Sequence, residues 1–258
     1  MLKKLLLLLI PFFCLGQNYY AYVASESEDT VSLIKFDGKE AVEEERIDVG
    51  FMFAEIEGPH GITVDPSGDF WYISLAHGNQ FGTLVKYSTE NNQAVARTTL
   101  GLFPASMEIS TITGFLYCVN FNLHGSMKPS NVSVVDPETM TEVTKITTGS
   151  MPHGSRLSPD GLFQYSVAMM SGELFEIDAL DLKVSRVLDL ENNMINNKKI
   201  DGKMMNDDNM KGKMMTNDKK ESMMSSMVEM KHSMVKPTWV IPHPLSLIHI
   251  SEPTRRYE

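Results

Sequence analysis

The chain has 258 residues, 42% of them hydrophobic, and a formal net charge of −10. That length and apolar content suffice for one large core or two small ones. The negative balance excludes a nucleic-acid binder, which needs clustered Lys and Arg against phosphate, and no stretch beyond the N-terminus is apolar for long enough to span a bilayer.

In chain order, residues 1–16 read first as a targeting signal. Lys3 and Lys4 precede the apolar run Leu5 to Ile10, and Cys14-Leu15-Gly16 supplies small residues before Gln17. This is the pattern of a secretory signal peptide cut after Gly16, which predicts a secreted or periplasmic protein. The rival reading, a lipid anchor on Cys14, fits poorly beside Phe12 and Phe13. With Cys14 removed, Cys118 is the only cysteine left, and its apolar setting predicts a packing role.

From Tyr19 onward short runs alternate with period 2 and are separated by Gly, Asn, Asp and Ser, the signature of strands and turns. Tyr20 to Ala24 and Thr30 to Phe36 form the first pair of strands. The pair recurs as Phe70 to Ser74 with Gly82 to Tyr87, Leu116 to Asn120 with Asn131 to Asp136, and Phe163 to Val167 with Glu173 to Asp178. A third strand follows each pair, such as Thr141 to Ile146.

A turn element then opens the next unit. Gly58-Pro59-His60-Gly61 and Met151-Pro152-His153-Gly154 are near copies, and Phe103-Pro104-Ala105-Ser106 and Lys236-Pro237-Thr238-Trp239 are looser ones. The prolines step by 45, 48 and then 85 residues. A unit of about 45 residues with four short strands predicts an all-β chain of β-propeller blades. Tyr117-Cys118-Val119-Asn120, Asn131 to Asp136 and Gly149 to Gly161 resemble the YVTN-repeat, YncE-like propellers of bacterial exported proteins. The resemblance covers residues 19–191 and resumes at 236–244, and it implies seven blades, of which 3.5 to 4 are present with the last incomplete. Leu245 to Arg255 resembles the conceptual translation of a transposon-end sequencing adapter, so 245–258 is expected to be a non-native tail on the N-terminal part of a longer protein.

The long third step is an insertion, residues 192–235. It holds eleven of the 19 methionines among Asn, Asp, Lys and Ser, without an aromatic residue. Such a composition predicts a mobile segment with no core of its own. Near its end Met223, Met227, Met230 and Met234 are spaced 4, 3 and 4 apart, one face of a helix. Three readings compete: a gap-filling or partner-docking apolar stripe, an inert linker, and a soft-metal site. Thioether is a soft, neutral ligand that selects Cu(I), and a packing stripe would use more Leu and Ile than this segment has. Met204, Met205, Met214, Met215, Met223, Met224, Met227, Met230, His232 and Met234 are therefore the candidate copper ligands.

Propeller topology adds four histidines to that set. His60 and His153 are expected in loops between blades, and His77 and His124 in loops between second and third strands, all opening on the face that carries the insertion. The plainer reading of a His in a Pro-x-Gly turn is a hydrogen bond to backbone, and Ala105 replaces it in one unit. Asp65, Asp160 and Asp178 are expected to cap turns. No haem attachment pair, phosphate loop or nucleophile elbow is present. The leading expectation is thus a non-enzymatic propeller that binds Cu(I) or a similar ion. A protein-binding scaffold is the alternative, and a lactonase-like hydrolase, suggested only by related folds, comes last.

Overall fold

The computed structural model describes residues 17–77, 81–192 and 233–243. These contain fifteen strands and a single helical turn at 190–192. The first sheet is three-stranded: β1 (Tyr19–Ser25), β2 (Thr30–Phe36) and β3 (Ala41–Asp48). Three four-stranded antiparallel sheets follow: β4 (Pro59–Val64) to β7 (Ala94–Thr99), β8 (Pro104–Ile109) to β11 (Thr141–Ser150), and β12 (Pro152–Leu157) to β15 (Lys183–Asp189). Within each sheet the strands pair in sequence order, the up-and-down topology of a propeller blade. The expectation of an all-β repeat holds. The incomplete unit, however, is the first sheet, and the sheet expected to be short, β12 to β15, has all four strands.

Burial explains why these sequences fold this way. The strand next to the innermost one is covered on both faces: β5 (Phe70–Leu75) and β9 (Leu116–Asn120) are buried almost throughout. Period 2 then sends alternate side chains into two different interfaces. Trp71, Ile73 and Leu75 enter the core shared with the first sheet, where they meet Val31, Ile47 and Val49. Tyr72 faces the other way, into the core with Met107, Leu116 and Cys118. Tyr117 and Val119 fill the third interface with Leu157 and Ile177. The outer strands β3 and β7 stay exposed. Cys118 is fully buried, and that burial pushes its thiol far above the ordinary range. It packs, as its setting implied.

The repeated Pro element has a defined geometry. In all three complete sheets the inner strand carries one residue more than its neighbour just after the proline, with register shifts between Pro59 and Ile62, Pro104 and Met107, and Pro152 and Ser155. Each is a β-bulge, which bends the strand and re-aims a side chain. The residue before each proline is left-handed, with φ of 65° at Gly58, 54° at Phe103 and 52° at Met151. Asp65 and Asp178 cap turns as expected: the Asp65 carboxylate accepts the Gly68 N–H at 2.8 Å, and Asp178 accepts those of Leu180 and Asp181 at 2.9 Å.

Candidate functional face

The connections after β1, β3, β5, β7, β9, β11 and β13 (Phe163–Ala168) all open on one face, the last of them leading into β14 (Glu173–Asp178). His60 and His153 lie not in loops but on strands β4 and β12, at the bulged position. The bulge is the physical reason: the chain has already entered the sheet, and the extra residue is displaced from the ladder. His77 lies two residues after the end of β5, and His124 lies in the turn between β9 and β10 (Pro129–Asp136) with φ of 62°.

Three of the four come together. The Glu26 carboxylate, in the turn between β1 and β2, lies 2.7 Å from His77 Nε2 and 3.3 Å from His60 Nδ1. The His60 and His153 rings meet edge to face with centroids 6.0 Å apart, although two blades separate them in sequence. Ala105 at the equivalent position between them makes that approach possible, because a third imidazole would fill the gap. Phe103 lies 5.2 Å from both His60 and His77, and Phe121 touches Phe103 at 5.6 Å and His153 at 4.8 Å. Trp239 closes the row, 5.2 Å from His153, with the Arg156 guanidinium 5.5 Å from the Trp239 ring. His124 stays apart: it is exposed and makes no contact with the other three among the described residues.

Electrostatics follow the geometry. Burial pushes the Glu26 carboxyl up, but the hydrogen bond from His77 and the charge and hydrogen bond of His60 outweigh it and hold the group below its ordinary range. Burial lowers His153, the nearby His60 lowers it further, and the contact of its Nδ1 with Thr238 O at 3.3 Å opposes both. The fold therefore favours neutral His153 and ionised Glu26. Stability from His153 is complete above its ordinary value of 6.5 and is lost as pH falls through its lowered folded value. Stability from Glu26 is complete above 4.5 and fades in stronger acid. Thermal melts are expected to show two successive losses on acidification, with His153→Phe removing the first. Identical pH profiles for parent and variant would refute the assignment.

Segment 233–243 takes a defined place. A Cβ on Gly61 would lie 1.8 Å from Ala105 O, and one on Gly154 would lie 2.4 Å from Thr238 O. Thr238 thus sits beside β12 as Ala105 of β8 sits beside β4. The Ser233 N–H donates to Met170 O at 3.1 Å and the Met234 N–H to Glu191 Oε1 at 3.4 Å. Of the candidate methionines only Met234 is described. It is 87% exposed and not helical. Met204, Met205, Met214, Met215, Met223, Met224, Met227, Met230 and His232 lie outside the described residues.

As a metal centre the described part is incomplete. No three His, Cys, Asp or Glu side chains among the described residues are placed to hold an ion. The donors that remain are single ring nitrogens: His60 Nε2, His153 Nε2 and His77 Nδ1 make no hydrogen bond among the described residues. Neutral imidazole at these atoms suits copper and zinc alike. Glu26, Phe103, Phe121 and Trp239 are the members of the face that sequence reading missed. A signal for one of them existed: Phe103 precedes a repeated proline.

No family model matches the sequence, and no curated protein matches it. Solved structures do. One described as a functionally unknown protein from Desulfotomaculum acetoxidans is 12% identical, covers 65% of this chain and 51% of its own, and superposes with a TM-score of 0.54. Hydrazine synthase from Kuenenia stuttgartiensis is 23% identical over 55% of this chain and 38% of its own, and a nidogen/laminin complex is 15% identical over 65% and 58%, both with a TM-score of 0.46. The chain therefore spans roughly two-fifths to three-fifths of the structures it matches. At these identities only the fold carries over. The described residues form a β-propeller-like assembly of four antiparallel sheets, three of them four-stranded.

Proposed function

We propose that the chain is an exported, non-enzymatic propeller of the YVTN-repeat, YncE-like kind that captures Cu(I) or a related soft ion with its methionine-rich segment. His60, His77 and His153 provide secondary donors on the same face. The observation that carries this reading is where the segment is tied. Its flanks are hydrogen-bonded to each other through Met234 and Glu191 and to the β13–β14 connection through Ser233 and Met170. The segment therefore leaves and rejoins the fold on the face that gathers the three histidines. Thioethers account for the choice of metal, because soft neutral sulfur selects Cu(I) where imidazole alone would not discriminate. On this reading the methionines supply most of the capacity and the histidines the remainder.

The test is an anaerobic Cu(I) titration of the chain against a chelator of known affinity. The intact protein is expected to bind more than one equivalent, and deletion of 193–232 to remove most of that capacity. Replacing His60, His77 and His153 together by Ala is expected to weaken binding without abolishing it. Equal capacity in the deletion variant would end the reading for the methionines and leave only the histidines.

A further inference from the structure

The negative charge of the chain is unevenly placed. Residues 26–57 hold eleven Asp and Glu against three Lys and Arg, a net of −8 in a chain whose total is −10. This stretch builds most of the first sheet, whose outer strand β3 is exposed at every position but Ile47 and pairs with no strand on its far side among the described residues. The connection from β3 to β4, residues 49–58, starts at the end of this acidic row.

That connection is firmly built. The Asp29 carboxylate accepts the N–H groups of Glu57 at 2.9 Å and Gly58 at 2.8 Å, and Asp29 O accepts that of Val49 at 2.9 Å. The buried Glu57 carboxylate accepts the N–H groups of Phe51 and Met52. Yet the apolar side chains between these anchors face solvent. Phe53 is fully exposed, Ile56 is 56% exposed, and Phe51 and Met52 about 40%. Among the described residues a cation lies over one of these rings, Arg97 at 4.9 Å from Phe51. An apolar cluster held outward by its own backbone is the mark of a binding surface.

We propose that this corner docks a cationic, amphipathic polypeptide segment, with an apolar anchor on Phe53 and Ile56 and Lys or Arg side chains along β3. Charge selects this occupant. A second copy in a two-fold contact would bring acidic row against acidic row, and an anionic membrane surface would repel it. A cationic segment can also pair with the open edge of β3 as an added strand. The anchoring residues are separate from those of the copper reading, so either proposal stands if the other falls.

A fluorescent peptide of alternating Lys and Leu, titrated into the chain beside a control with Ser at each Leu, tests this. The Lys-Leu peptide is expected to bind at least about tenfold more tightly, and Phe53→Ser with Ile56→Ser to erase that advantage. Asp48→Lys with Glu55→Lys is expected to weaken both peptides, as is added salt. All four side chains are exposed, and coincident thermal melts verify that the variants fold. Equal binding of the two peptides, or a Leu advantage that survives in the apolar variant, overturns the proposal. So does co-sedimentation with neutral phosphatidylcholine vesicles, or a dimer in analytical ultracentrifugation, that Phe53→Ser abolishes, since the patch then belongs to lipid or to a second copy.

Discussion

Replacing Trp71 by Ala is expected to destabilise the chain by about 4 kcal/mol, the middle of the range for removal of a buried aromatic. Trp71 has no exposed surface and stacks between Tyr22 at 4.7 Å and Tyr87 at 4.2 Å. Its Nε1–H donates to Asn92 Oδ1 at 3.2 Å, an atom that also accepts the Tyr22 hydroxyl at 3.0 Å. Asn92 in turn donates to Glu45 on β3 at 2.6 Å. One side chain thus joins the first sheet to the second by stacking and by a shared hydrogen-bond acceptor. Trp71→Phe keeps part of the stack and gives up the bond, so its cost should fall to about 1–2 kcal/mol. Denaturant unfolding followed by circular dichroism measures both. A Trp71→Ala variant within about 1 kcal/mol of the parent would mean that the first sheet is not docked through this stack.

Gly61→Ala is the second large effect, expected at about 3 kcal/mol or more because the added methyl has nowhere to go. Its Cβ would lie 1.8 Å from Ala105 O, a backbone atom of the neighbouring inner strand, so relief requires two blades to move apart. Gly154→Ala meets Thr238 O at 2.4 Å, but there only segment 237–243 must shift. Its stability cost should be about 1 kcal/mol, with a change in the emission of Trp239, the only tryptophan besides Trp71. Gly68→Ala is the control: φ is 80° but nothing lies within 4 Å, so only backbone strain of about 1 kcal/mol is expected. Equal costs at 61 and 68 would show that the inner strands are not in the close contact described.

These two sites mark what the sequence makes legible and what it hides. The short aromatic and β-branched run Phe70 to Leu75 is enough to predict a strand, and the proline steps of 45 and 48 are enough to predict blades. That Trp71 and Tyr72 serve opposite interfaces also follows from period 2, once blades are known to pack on both sides. The Pro-x-Gly element reads as a turn because proline and glycine mark turns. Its placement as a bulge inside the inner strand depends on pairing with the second strand, which local sequence does not encode.

The same limit governs the face. Equivalence of His60 and His153 in the repeat is visible in the sequence, but their edge-to-face contact depends on Ala105 and on the close approach that Gly61 permits. Glu26 is hidden for a different reason. It lies in a run of Ser, Glu and Asp whose composition says only that the chain turns, and its two histidine partners are 34 and 51 residues away. The methionines are the reverse case, conspicuous in composition and spacing, with the ligand choice carried by thioether chemistry alone.

That choice is open to one direct measurement. X-ray absorption at the copper edge of the Cu(I)-loaded chain reports which atoms surround the ion. A first shell dominated by sulfur, retained when His60, His77 and His153 are replaced by Ala and lost when 193–232 is deleted, is the predicted result. A shell of nitrogen or oxygen alone, unchanged by the deletion, would contradict it.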